Sequence, residues 1–326
     1  NDGFSNVGPD GRGESVWLAW FSIAVMNAFA ELMDERSDAA EAERWREEAR
    51  SLSVHVEASA WDGDWYLRAW FDDGTPLGSH ACQEGRIDLI AQAWASLSRM
   101  ADPDRVKTAL ASAEHWLASG DSDLVRLLSP PFHGGPQDPG YIMAYPPGVR
   151  ENGGQYTHAG TWLGFAHATE GDGAAAHRIF KKLNPLERAA DAATLARYRV
   201  EPYVVAGDVY HGEDYGGRGG WTWYTGAAPW LWRLGIEGIL GLTRERGSLR
   251  IDPCIPREWN GFEAEIHEPT GSLRIVVKNP SHVTRGVIHV TLNSKPMATN
   301  LIDVAALKGA NEACVTLGAP GEAPIL

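Results

Sequence analysis

The apolar pattern of this chain changes period once, and that change limits what it can fold into. Up to about residue 240, apolar residues recur at spacings of three and four. From about Leu249 they alternate with polar ones. A helical region therefore precedes a β region, with the boundary expected near Gly247. The expected domains are 1–246 and 247–326.

Within the helical region, Glu14 to Arg36 reads as a helix whose Trp17, Phe21, Ala24, Val25, Ala28 and Leu32 form one apolar stripe. Asp38 to Ala60 reads as a second helix with a solvated charged face between Glu41 and Arg50. Leu67 to Gly78 predicts a short hairpin turning at Asp73-Gly74. Arg86 to Met100 and Pro103 to Ala118 predict two further helices, with Asp102 as N-cap and Pro103 at the first helical position. Tyr156 to Thr169 and Gly173 to Leu183 form another pair, followed by Asp191 to Tyr198 and a last helix from Trp223 to Gly241. Long loops rich in Gly, Pro and aromatic residues separate them, above all Leu124 to Gly154. Helical hairpins joined by such loops suit a helical toroid, in which the loops at one end build the site. About three to four hairpins are visible, roughly half of such a barrel.

In the β region, Leu249 to Asp252, Phe262 to His267, Ser272 to Lys278 and Gly286 to Leu292 alternate. Turns are expected at Glu268 to Gly271 and Asn279 to Ser281. The expectation is a small antiparallel β module.

The formal net charge of −14 excludes nucleic acid as an expected partner, because phosphate backbones recruit basic surfaces. The three cysteines, Cys82, Cys254 and Cys314, have neither metal-ligand nor disulfide-framework spacing, which points to a reducing, cytoplasmic compartment and to no metal. No apolar run long enough for a membrane span is read from the sequence. The chain opens at Asn1 inside what looks like a motif, and is read as a fragment. Fourteen tryptophans give a weak hint of sugar binding, since a pyranose ring stacks on an indole.

Three stretches could carry chemistry. Gly216 to Trp230 packs five glycines and three tryptophans into fifteen residues, a binding loop or simply a well-packed one. Its Thr225-Gly226 pair sets a hydroxyl beside an unhindered amide, which suits a small anion. Arg150-Glu151-Asn152-Gly153-Gly154 leads to His158 at the opening of a helix. That histidine is an anion ligand or a helix cap; Glu151 is a sugar-hydroxyl acceptor or a solvated charge. Asp2, in Asn1-Asp2-Gly3, is a turn aspartate or a general acid.

Taken in order, Asn1-Asp2-Gly3, Gly13-Glu14-Ser15-Val16-Trp17, Arg86 to Gln92, Tyr145 to His158, Glu201 to Ala206 and Gly217 to Gly226 resemble glycoside hydrolase family 94. That family contains inverting β-glucoside phosphorylases and the C-terminal domain of cyclic β-1,2-glucan synthases. The resemblance covers nearly the whole chain, and its wording is most like the β-1,2-glucan-acting branch. It departs at Ala227-Ala228-Pro229-Trp230, where the branch usually reads Ser-Ala-Gly-Trp or similar. No glutamine stands near Gly207-Asp208, which argues against a cellobiose-type substrate.

The resemblance implies the C-terminal part of an (α/α)6 barrel followed by a β-sheet domain. It implies Asp2 as catalytic acid, His158, Thr225 and Gly226 as phosphate ligands, and Arg150 and Glu151 as substrate-binding residues. No cofactor or metal is implied; inorganic phosphate is the co-substrate. The expected partners are a β-glucan or oligosaccharide, a second copy in a homodimer, and a larger membrane-bound synthase chain. The expected reaction is phosphorolysis of a β-1,2-linked glucan to α-glucose 1-phosphate. A cellobiose-type phosphorylase, an inverting hydrolase with Glu151 as base, and an inactive carbohydrate-binding fragment are the alternatives.

Overall fold

The computed structural model describes residues 2–119, 123–201, 203–223, 225–319 and 321, with Asp2 described at its backbone alone. The chain divides into two compact units: Asn1–Ala166 with Lys181–Leu231, and His167–Phe180 with Trp232–Leu326. The change of texture at Gly247 falls inside the second unit.

The first unit is built on α1 (Val16–Glu35), which packs against α2 (Ala39–Ser59) and α3 (Leu89–Ser98). α3 in turn packs on α4 (Pro103–Ala113). Each of these starts where a polar side chain takes an orphan amide of the first turn. Ser15 Oγ accepts from the Leu18 amide at 3.3 Å, Asp38 from Glu41 at 3.2 Å, and Asp88 from Ile90 at 2.9 Å. Asp102 accepts from Asp104 and Arg105, both at 3.0 Å, with Pro103 in the first turn. Further on, α7 (Pro185–Arg188) and α8 (Ala192–Tyr198) lie in this unit, while α5 (Thr157–Thr169), α6 (Gly173–Leu183) and α9 (Ala227–Arg233) are each divided between the two.

Two-residue strands pin the loops of this unit in pairs. β1 (Glu14–Ser15), β2 (Ala69–Trp70) and β3 (Pro76–Leu77) make a small antiparallel sheet containing the expected hairpin. β4 (Ile87–Asp88) pairs with β5 (Leu128–Ser129), and β6 (Gln155–Tyr156) with β7 (Asp208–Val209). The third expected helix thus begins with a strand. Asp88 belongs to β4 and caps α3, and its buried carboxylate lies 3.3 Å from the equally buried Arg68. The last expected helix starts four residues late, at Ala227, whose amide donates to Thr225 Oγ1 at 3.1 Å. Its continuation, Leu234–Ile239, is a π-helical turn, as is Glu114–Ala118 after α4.

α1 corrects two expectations. It buries Val16, Trp20, Ile23 and Ala30, while Leu18, Phe21, Val25, Phe29 and Leu32 are exposed. The helix is apolar on two faces, so periodicity picked out the wrong one. For the same reason its twenty residues are long and apolar enough, by length and composition, to cross a membrane, a property that buried core helices share.

In the second unit, β8 (Leu242–Glu245), β9 (Ser248–Ile251) and β14 (Leu301–Asp303) form one antiparallel sheet in the order β14-β9-β8. The larger sheet runs β10-β11-β15-β12-β13, from β10 (Gly261–Glu268), β11 (Gly271–Lys278), β12 (Val287–Leu292), β13 (Lys295–Pro296) and β15 (Gly309–Leu317). β11 and β15 are parallel, in register from Gly271↔Gly309 to Lys278↔Thr316. The expected antiparallel module is therefore a mixed sheet. Hairpin signals mark no strand at Gly309–Leu317, whose parallel partner β11 lies across a long crossover.

Candidate functional site

The motif loops of the first unit meet on β7. Its partner β6 ends at Tyr156, opposite Asp208, so the next residues, Thr157 and His158, open α5 beside the 207–208 backbone. The Thr157 amide donates to Gly207 O at 2.9 Å. On the other side, loop 217–221 runs along β7 like a third strand. Gly217 donates to Tyr210 O at 2.8 Å, Gly220 to Asp208 O at 2.9 Å, and Gly207 to Trp221 O at 2.6 Å. The glycine-tryptophan stretch and the stretch before His158 are thus tied to one two-residue strand.

This brings His158, Thr225 and Gly226 together. A Cβ added at Gly226 would stand 3.5 Å from His158 Cε1 and Nδ1, and one at Gly207 would stand 3.0 Å from Thr225 Oγ1. The His158 ring is stacked near Trp230 at 5.7 Å and meets Trp162 edge-on at 4.5 Å. Its Nε2 is buried without a hydrogen-bond partner. Burial pushes the imidazole below its ordinary pKa, so the ring is neutral near pH 7. The Thr225 hydroxyl oxygen caps α9, which leaves its proton available to donate.

Arg150 and Glu151 form a second group. Arg150 sits at positive φ (52°) in a tight turn where the Asn152 amide donates to Val149 O at 3.1 Å. Its guanidinium lies between the rings of Tyr145 (5.1 Å) and Trp221 (5.7 Å), and its Nε is 3.5 Å from Glu151 Oε2. Both of these atoms are buried and lack a hydrogen-bond partner. Asn152 has a different task. Its fully buried amide accepts from the Phe132 amide at 2.7 Å and donates to Phe132 O at 2.9 Å and Tyr145 O at 2.8 Å. It builds the loop that presents Glu151.

Asp2 opens a 3-10 turn, Asp2–Phe4; its side chain lies outside the described residues. The turn is anchored by Phe4, which packs with Val7, Ala69, Leu77, Leu128, Phe132 and Ile142. Phe4 meets Phe132 edge-on at 6.1 Å, and Phe132 is the residue that Asn152 grips. The Asp2–Phe4 turn and the Glu151 loop therefore share one support.

Sequence reasoning missed Asp208. It is 1% exposed, and its Oδ1 accepts from the Trp221 amide at 2.8 Å while Oδ2 has no hydrogen-bond partner. Burial pushes its carboxyl above the usual range, against the pull of the Trp221 amide and of Arg150; Glu151 adds like-charge repulsion. A lone carboxylate between Gly207 and the apolar Val209-Tyr210 is the signal that was available. Trp223 is 74% exposed.

Known proteins resemble this chain along most of its length. It is 45% identical over 290 residues to the cyclic β-(1,2)-glucan synthase NdvB of Rhizobium meliloti (strain 1021), covering 89% of this chain and 10% of that protein. It is 32% identical over 307 residues to the solabiose phosphorylase of Paenibacillus borealis, covering 93% of this chain and 39% of that protein. The chain thus spans well under half the length of these relatives. A solved sialidase structure superposes with a TM-score of 0.50 at 13% identity, over 77% of this chain and 22% of that one, a likeness of fold alone. Residues 1–241 match the catalytic domain of the glycosyl hydrolase 94 superfamily, and the chain belongs to that superfamily.

Proposed function

We propose that this chain carries part of an inverting phosphorylase site that cleaves β-1,2-linked glucan with inorganic phosphate. The observation that carries the reading is the division of the site into a neutral His158 against Thr225-Gly226 and a charged Arg150–Glu151 clamp. The first suits a small anion: a hydroxyl proton, an unhindered amide and an imidazole can donate to it together. The second suits sugar hydroxyls, which need both a donor and an acceptor. The 45% identity to a protein named for cyclic β-(1,2)-glucan supports the linkage.

In this reading Asp2 gives its proton to the glycosidic oxygen as the bond from the anomeric carbon to that oxygen breaks. A phosphate oxygen bonds to the same carbon from the opposite face. The products are α-glucose 1-phosphate and a glucan shortened by one unit. An inverting hydrolase needs a second carboxylate to activate water. Phosphate is already an anionic nucleophile, so the protein must bind it and offset its lost hydration. The helical hairpins belong, in the same reading, to an (α/α)6 barrel within a longer cytoplasmic polypeptide.

The test is release of α-glucose 1-phosphate by the full-length polypeptide from β-1,2-glucooligosaccharides and phosphate, with cellobiose and phosphate-free controls. Release from the β-1,2 substrate and not from cellobiose is expected. No release from any β-glucan, or cleavage that does not require phosphate, would overturn the reading.

A further inference from the structure

Residues 4–13, which follow the turn opened by Asp2, form an irregular loop seated on the β2–β3 hairpin. Phe4 and Val7 are buried with Ala69 and Leu77 of that hairpin. Asp72, in the turn between β2 and β3, turns every polar atom it has toward the loop. Its Oδ1 accepts from the amides of Arg12 at 2.7 Å and Gly13 at 2.8 Å, and its Oδ2 from that of Asp10 at 2.7 Å. Its own amide donates to Val7 O at 3.1 Å, and its main-chain oxygen accepts from Arg12 Nε at 3.0 Å. The loop also closes on itself. A Cβ added at Gly13 would stand 2.5 Å from Val7 O and 2.6 Å from Gly8 Cα, so Gly13 lies directly against Val7-Gly8. The Val7 amide donates to Phe4 O at 3.2 Å, and Phe4 is the last residue of the Asp2–Phe4 turn.

We propose that Asp72 is a positioning residue for Asp2: by gathering the amides of Asp10, Arg12 and Gly13 it presses Gly13 onto Val7, and Val7 fixes the turn on which Asp2 stands. The proposal rests on the phosphorylase reading, in which Asp2 is the acid. Asp72 acts through the backbone, since its carboxylate is already engaged with three amides. Bonds from an ionised acceptor are the strong kind, which suits a loop that has neither helix nor strand to hold it. A proton donor must stand within hydrogen-bond reach of the glycosidic oxygen, so a shift of the turn acts on proton transfer and leaves phosphate and glucan binding in place.

The test compares two glucosyl donors in the full-length polypeptide. A β-1,2-glucooligosaccharide needs the acid, because its leaving oxygen must be protonated as the bond to the anomeric carbon breaks. β-Glucosyl fluoride does not: a phosphate oxygen bonds to the anomeric carbon, the carbon–fluorine bond breaks, and fluoride departs unprotonated. Asp72→Ala should lower kcat on the glucan about 100-fold, the effect of a misplaced group, with both KM values within about twofold. On the fluoride it should keep kcat within about threefold of the wild type. Asp72→Asn keeps one acceptor oxygen for Arg12 and Gly13 but turns an N–H toward the Asp10 amide, and should lose about tenfold on the glucan alone. Wild-type kcat on the glucan in Asp72→Ala, or an equal loss on both donors, would reduce Asp72 to a structural staple and sink the proposal. If Asp72→Ala does not fold, Asp72→Asn decides by the same comparison.

Hydrogen exchange on the ligand-free protein tests the mechanical link without the phosphorylase reading. In Asp72→Ala, exchange should quicken at the Val7 amide as well as along 10–13, with 261–278 unchanged. Quickening confined to 10–13 would show that the two ends of the loop move independently and would overturn the link. Absence of phosphorolysis of either donor in the wild type would count against the phosphorylase reading, while the exchange result would still stand for or against the hold of Asp72 on the turn.

Discussion

The two halves of the candidate site differ in how they treat charge. Around His158 the walls Trp162 and Trp230 are aromatic and the imidazole is neutral. Around Arg150 the protein supplies charges of its own, Arg150 and Glu151, whose Nε and Oε2 lie 3.5 Å apart, both buried and without a hydrogen-bond partner. A pocket for a charged ligand leaves charge out, because a desolvated ion needs donors and space. A clamp for neutral hydroxyls brings charge in, because only a polarised donor and acceptor hold a hydroxyl better than water does. Mutations in the two halves should therefore move different kinetic constants.

The largest effect should come from a residue belonging to neither half. Asp2→Asn should lower kcat on the order of 10³-fold with both KM values nearly unchanged, as loss of a general acid does. Unchanged kcat would refute the acid role. Next is Gly220→Ala, whose new Cβ must push Asp208 and Tyr210 Cε1 aside. It should damage both halves at once and cut kcat/KM for both substrates about 100-fold, the effect of a displaced site. An effect on one substrate alone would show that the halves are independent. Glu151→Gln should raise the glucan KM roughly tenfold and spare the phosphate KM; the reverse pattern would exchange the assignments of the two halves.

His158→Asn should raise the phosphate KM about tenfold and also remove a pH dependence. Bound phosphate favours the protonated ring, so the wild-type phosphate KM should fall, relative to this variant, as pH drops toward 6. Stability should move the opposite way. The folded-state pKa of His158 lies below its ordinary 6.5, so the unfolded chain binds the proton more readily and stability is lost as pH falls below that value. His158→Asn should be less acid-sensitive in thermal melts, and equal sensitivity would mean that the ring is protonated without cost. The smallest effect belongs to Trp221→Ala, which removes one side of the Arg150 sandwich and should raise the glucan KM about three- to fivefold.

Much of the helical unit was legible because its signals are local. Asp102-Pro103 and Asp38 start helices where their residue types say they should. His158, Thr225 and Gly226, distant in sequence, were grouped through the family resemblance, and the fold brings them together. What was not legible depends on who lies opposite. Asp88 reads as a helix residue until Arg68 is seen against it, and Asp208 is given no role until loop 217–221 is seen along it. The buried face of α1 could not be chosen because both faces are apolar, and a strand with a distant parallel partner gives no turn signal.

The place of β15 has a consequence for how the protein is made. β15 follows the other four strands in sequence yet is the middle one of its sheet, between β11 and β12. During synthesis the hairpins on either side emerge first and wait as two ribbons with unpaired backbone inner edges until residue 317 leaves the ribosome. This sheet thus closes at a single step, and a chain cut short before Gly309 would carry both hairpins in a sheet split in two.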